Sequence, residues 1–207
     1  MKKGRWGTGR IEAFSDGVFA IAITLLVLEI GVPEGDLDDL WAGIADQWPS
    51  YFAYVTSFLT IGAIWMAHHA IFRRLKSADA TVMKVNLLLL MLVSFLPFPT
   101  KLLAQTIDAP SEETAAVIFY GFVLLAISIT TSLLWRYIAS NRDLLEPGVS
   151  DEEIKGIANL TSPSIGFYAA VIVLALFAPQ VAAVGFLLIA VVNVFRQRGD
   201  HSAAPST

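Results

Sequence analysis

Residues Arg10–Ile30 read RIEAFSDGVFAIAITLLVLEI, an apolar stretch of membrane length that carries Arg10, Glu12, Ser15, Asp16 and Glu29. A helix needs about 20 apolar residues to cross the hydrocarbon core of a bilayer. Ionisable groups at that depth are expensive, and they persist where they face a bundle interior, a water-filled path or a partner. The stretch therefore demands a membrane and marks the first helix as the seat of function, with the rest of the chain as its support.

The composition agrees. Apolar residues make up 56% of the 207-residue chain and charged residues only 15%, and the mean hydropathy is +0.64. A soluble domain of this size cannot hide so much apolar surface. The class expected is an all-α, multi-pass membrane protein. Its basic start (Lys2, Lys3, Arg5) precedes an apolar run that is too long for a signal peptide and lacks a small-residue cleavage site. There is no cysteine, which excludes disulfides and thiolate metal sites.

Six membrane spans are predicted, at residues 11–32, 51–72, 85–103, 115–138, 165–177 and 181–195. The last two form one apolar run interrupted by Pro179. Proline lacks a backbone donor and disfavours helix at the residue before it, so Ala178-Pro179-Gln180 reads as a tight hairpin. A single kinked helix there would give five spans. Charge asymmetry decides for six: every lysine and arginine except Lys101 then falls on the side of the termini and the even-numbered loops. The positive-inside rule places that side, with both termini, in the cytoplasm of a cell-membrane protein. The opposite loops are acidic, with Glu34, Asp36, Asp38, Asp39 and Asp46 in one and Asp108, Glu112 and Glu113 in the other.

Between the first two spans, Leu37, Leu40, Trp41, Ile44 and Trp48 recur at helical spacing behind Asp36, a candidate N-cap. This reads as a short amphipathic helix on the outer interface. Ser150-Asp151-Glu152-Glu153 resembles a capping box that opens a short helix leading into the fifth span. Ser94, Pro97 and Pro99 imply a kink near the outer end of the third. Residues 1–198 are read as one six-helix channel-like unit, and residues 199–207 as a disordered polar cytoplasmic tail.

At about 100° per residue the first helix divides into faces. Glu12, Asp16, Ala20, Ile23 and Val27 share one stripe. Gly17, Ile21, Thr24 and Leu28 share another, and Phe14, Val18 and Leu25 lie further round. The acidic stripe needs protein partners. The second suits a constriction as well as it suits simple packing. Thr24 can line a path or bond back to a carbonyl one turn earlier. Periodicity leaves both pairs of alternatives open.

Arg10-Ile11-Glu12-Ala13-Phe14-Ser15-Asp16 fits the R-x-x-x-F-S-D motif that begins the first helix of the lysosomal potassium-channel family, transmembrane protein 175. The run that follows, GVFAIAITLLVLEI, resembles the prokaryotic members almost throughout, and the resemblance covers essentially the whole chain. It implies potassium conduction by a homotetramer whose pore is lined by the first helix of each subunit. No sequence like the T-V-G-Y-G carbonyl filter is present, and the family uses none. The resemblance places the pore-lining positions five, eight or nine, and twelve residues after the motif aspartate. These fall on Ile21, Thr24 or Leu25, and Leu28. Four Ile21 side chains would form a hydrophobic neck that gates by dewetting, and four Thr24 hydroxyls would replace part of an ion's hydration shell. Glu29 would concentrate cations at the outer mouth, or stand as an ordinary interfacial carboxylate.

The second span ends WMAHHAIFRRLK. His68 and His69 are adjacent, so they point about 100° apart on a helix and cannot share a metal. Either can pair with Asp16 or Arg10, and the resemblance implies that the motif is held by polar residues of neighbouring helices. Trp65, His68 or His69, and Asn86 are the candidates. Histidines snorkelling to the interface are the plainer reading. Spans four to six show few polar groups and are assigned to scaffold and lipid contact.

Three functions compete. A potassium-selective, leak-like channel leads. A cation-coupled secondary transporter using Asp16 would need broken helices or repeats at mid-membrane. A membrane enzyme would have to be built from Ser15, Asp16 and His68 alone, and no catalytic motif supports it. The expected partners are potassium ions in transit, the lipid bilayer and further copies of the chain. No cofactor, resident metal or nucleic acid is expected.

Overall fold

Polar residues at the ends of the apolar runs set where each helix begins. The computed structural model describes residues 5–31, 40–106 and 110–198. The expected tail and the Asp36 cap lie outside the described residues. The first span is α1 (Gly9–Leu25), which tightens into a 3-10 turn over Leu26–Glu29. There follow α2 (Leu40–Asp46), α3 (Trp48–Phe72), α4 (Ala80–Phe95), α5 (Pro97–Thr106), α6 (Pro110–Ser140), α7 (Asp151–Thr161), α8 (Pro163–Ala175) and α9 (Pro179–Arg198). Among the described residues they supply six stretches long and apolar enough to cross a membrane.

Most helices outrun their expected bounds, because capping satisfies the polar end turns that an apolar-length criterion omits. Asp79 caps α4, its carboxylate accepting from the backbone N–H of Thr81 and of Val82 at 3.0 Å each. The Ser150 capping box forms, with Ser150 Oγ accepting from Glu153 N at 3.2 Å and Glu153 Oε2 accepting from Ser150 N at 3.0 Å. The third span breaks where the prolines require it, between α4 and α5. The sixth span is separate from the fifth, but the turn lies just before the expected hairpin. Residues 176–178 connect the two helices, and Pro179 opens α9 in the first-turn position that suits it.

The fifth span needs the larger correction. At 13 residues, α8 is about 20 Å long, too short to cross by itself. The nearly continuous α7 extends it, and Pro163 breaks the joined span near its middle. Proline leaves the carbonyl four residues earlier without its helical donor. That carbonyl, on Asn159, accepts from Arg196 Nη2 at 3.0 Å, and Thr161 O accepts from Ser132 Oγ at 3.1 Å. At these two carbonyls the broken helix is resealed by its neighbours, as backbone at membrane depth requires.

α3 and α6 carry the centre of the bundle. α3 packs on α1, α5 and α9, and α6 packs on α4, α5 and α8, while α1 lies at one edge against α3 and α4. Lipid tails are as apolar as leucine, so close packing rather than burial from water binds these helices. Gly121 on α6 shows how close. A Cβ there would meet Ile172 Cγ1 at 2.6 Å and Phe186 Cζ at 2.9 Å. Gly121→Ala is expected to cost about 1–3 kcal/mol by overpacking, read as a lower thermal midpoint in detergent. An unchanged midpoint would mean that α8 and α9 yield freely.

One end of the bundle is basic and knitted together. Trp6 and Ala78 exchange two backbone bonds of 2.9 Å, Lys76 N donates to Leu144 O at 2.9 Å, and Glu146 N donates to Arg74 O at 2.9 Å. Arg5 pairs with Asp143 and Arg142 with Asp151. Tyr137 OH donates to Asp79 Oδ2 at 2.6 Å. The N-terminal segment and the loops after the second and fourth spans therefore share one end, the parity expected of six spans.

Candidate functional site

α1 buries a single stripe. Ser15, Phe19, Ala22 and Leu26 face α3 and α4. The stripe on the opposite side stays outside: Gly17 and Thr24 are exposed, Ile21 is 60% exposed and Leu28 is 72% exposed. Leu25, at the border, is half-covered. It lies with Phe14, Val18, Ile21, Leu87 and Met91 on an open groove of about 440 Å³ between α1 and α4. Thr24 Oγ1 donates to Ile21 O at 2.9 Å. The hydroxyl proton is thus spent on its own helix, and the oxygen lone pairs are left for another ligand.

The buried edge of α1 is held by a polar relay. Ser15 Oγ donates to Ile11 O at 2.8 Å and accepts from Asn86 Nδ2 of α4 at 3.0 Å. Asn86 Oδ1 lies 2.9 Å from His68 Nε2 of α3. Since the amide nitrogen is committed to Ser15, its oxygen faces the imidazole, and Nε2 is the donor. The His68 ring stacks on Phe72 at 4.2 Å and tilts against Phe19 at 5.3 Å. Relay and rings together lock the rotation of α1 about its own axis.

Of the candidates for holding the motif, it is Trp65 and not a histidine that bonds Asp16. Trp65 Nε1 donates to its Oδ1 at 2.9 Å, and His69 stacks on Trp65 with ring centroids 5.8 Å apart. Neither histidine pairs with Asp16 or Arg10 by a hydrogen bond. Asp16 faces α3, where the indole of Trp65 reaches it one helical turn before His68. Arg10 and Phe14 lie on the far side, lining with Trp6, Met83 and Asn86 a crevice of about 710 Å³ at the basic end.

Two further arrangements depart from the sequence reading. Glu29 is not a bare carboxylate, because Lys101 Nζ of α5 lies 3.1 Å from its Oε2. The later spans are also richer in polar contacts than their composition implied. Ser57 Oγ sits 2.7 Å from Thr100 Oγ1 and 2.9 Å from Tyr120 OH. A small cavity of about 40 Å³ is lined in part by Thr60, Thr131, Ser164, Tyr168 and Asn193. The signal was present in Thr130-Thr131-Ser132 of α6 and Asn193 of α9, and in Thr56-Ser57 and Thr60 of the second span, inside otherwise apolar runs. Asp79 was likewise legible as an acid directly before a helical run. Among the described residues no group of three or more metal-ligating side chains occurs.

Known proteins share this sequence and this arrangement. Residues 10–97 match the sequence profile of the family described as endosomal/lysosomal potassium channel TMEM175. A protein named potassium channel from Streptomyces collinus is 44% identical over 143 residues, which is 69% of this chain and 69% of that one. One of the same description from Chamaesiphon minutus is 44% identical over 164 residues, covering 78% of this chain and 80% of its own. The crystal structure of a lysosomal potassium-selective channel TMEM175 homologue from Chamaesiphon minutus superposes with a TM-score of 0.83 at 38% identity. The match covers 92% of this chain and 97% of that one.

Proposed function

The chain belongs to the TMEM175 potassium-channel family, a family of ion channels and not of enzymes, and from that premise we propose how it conducts: four copies surround a shared axis with the Gly17/Ile21/Thr24/Leu28 face of α1 turned inward. One observation carries the proposal. A helix packed on one side by Ser15, Phe19, Ala22 and Leu26 leaves Ile21 and Leu28 60% and 72% exposed, and beside Ile21 a single subunit offers an open groove, not an enclosed path. Closing it requires further copies, and cyclic symmetry is the ordinary way to close a ring.

In that ring the Ile21 side chains form a dry neck, which an ion crosses only by giving up water. Thr24, one turn on, offers oxygens whose protons are already committed to Ile21 O. Leu25 borders the neck and Leu28 narrows the approach. Arg10, Phe14, Ser15 and Asp16 work from behind, with Trp65, His68, His69 and Asn86, to hold the helix at the angle that presents the neck. The six-helix unit of residues 1–198 supplies the whole path, needs no cofactor and holds potassium only in transit. The basic end, with both termini, faces the cytoplasm and the chain sits in the cell membrane, as the positive-inside rule directs. At the break between α7 and α8 the carbonyls of Asn159 and Thr161 are taken by Arg196 and Ser132, which disfavours a transporter reading built on them.

Purified protein in liposomes loaded with potassium is expected to pass the ion passively down its gradient, without saturation by a second solute. Flux that saturates and depends on a counter-substrate would overturn the channel reading.

A further inference from the structure

The end of α1 opposite the basic face carries one ion pair whose position gives it a role in conduction. Glu29 closes the 3-10 turn directly after Leu28, and its side chain is 23% exposed. Its partner Lys101 is 50% exposed and stands on α5. α5 reaches the end of α1 because the third span breaks ahead of Pro97 and turns the helix against α3 and the 3-10 turn. Among the described residues, Lys101 is the one lysine or arginine at this end. Without the lysine, a carboxylate one residue beyond the pore-facing stripe would carry its charge uncompensated at the mouth, and rings of carboxylates are how cation channels raise the local ion concentration.

We infer that Lys101 is a charge brake on this mouth: by pairing with Glu29 it replaces a ring of carboxylates with a ring of ion pairs and so sets how strongly the entrance gathers cations. The inference rests on the pore reading above and deepens it. Lys101 is half in solvent, while Glu29 is 23% exposed with its Oε2 buried, so the field of the pair reaches an entering ion from the solvent-facing lysine and is screened by salt. The screening length is about 30 Å in ~0.01 M salt and about 3 Å in ~1 M. A brake of this kind acts at low ionic strength and vanishes at high. A purely structural strut would act equally at both.

The test compares wild type, Lys101→Gln, Glu29→Gln, the double variant and Lys101→Arg in neutral-lipid bilayers, reading potassium conductance for ions entering from this mouth. In ~0.01 M KCl, Lys101→Gln is expected to raise it about threefold and Glu29→Gln to lower it, with the double variant and Lys101→Arg close to wild type. In ~1 M KCl all five should converge. The charge role is overturned if Lys101→Gln conducts as wild type does in dilute salt, or if its difference persists unchanged in concentrated salt. A wild type that passes no potassium overturns the pore reading itself, whereas a conducting wild type with an indifferent Lys101→Gln overturns only the brake.

Discussion

Replacing Ile21 with alanine is expected to raise potassium flux about tenfold and to weaken the preference for potassium over sodium. Ile21 is 60% exposed in the subunit and stands on the face of α1 opposite its packed stripe. In the proposed ring, four such side chains would leave a throat too apolar to hold water, and the ion's barrier there would be the cost of shedding its shell. Alanine removes three carbons from each wall, lets water stay, and lowers that barrier. A tenfold gain corresponds to only ~1.4 kcal/mol, a small part of what dehydration costs, so the estimate is modest. Leu176 is also 60% exposed but follows α8, away from α1. Leu176→Ala is the control that should leave flux alone. Single-channel current and tracer uptake both read the effect. Wild-type conductance and ion preference in Ile21→Ala would remove this residue from the pore wall.

The second large effect is on stability. Asn86→Ala is expected to cost about 2–4 kcal/mol. Asn86 is 2% exposed and ties Ser15 on α1 to His68 on α3 through both halves of its amide. Alanine leaves the imidazole N–H without an acceptor in a place water does not reach, and opens a cavity beside Leu89 and Val82 on α4. A buried donor left alone costs more than an average hydrogen bond contributes. Two losses are expected together in detergent: a lower thermal midpoint and fewer assembled oligomers on size exclusion, because α1 is free to rotate and its outer face no longer points one way. A variant that keeps the wild-type midpoint and assembly would show that apolar packing by Phe19, Ala22 and Leu26 suffices to orient the helix.

The two predictions divide along what a one-dimensional reading can reach. Apolar length and charge sums add up residue by residue along the chain. Six spans, the parity of the termini, the break at Pro97 and the capping box at Ser150 were therefore legible before any helix was packed, and so was the motif Arg10-x-x-x-Phe14-Ser15-Asp16. Rotation is a different kind of quantity. One residue turns a helix face by about 100°, and the choice between faces is made by neighbours far off in sequence. Trp65 rather than His68 reaches Asp16, Asn86 stands between His68 and Ser15, and Lys101 closes on Glu29 across 72 positions because α5 packs against the 3-10 turn that ends the first span. The sequence alone determined that this chain crosses a membrane six times with charged groups in its first helix. Packing in three dimensions decided which face of that helix was left uncovered, since only neighbours can bury a side chain.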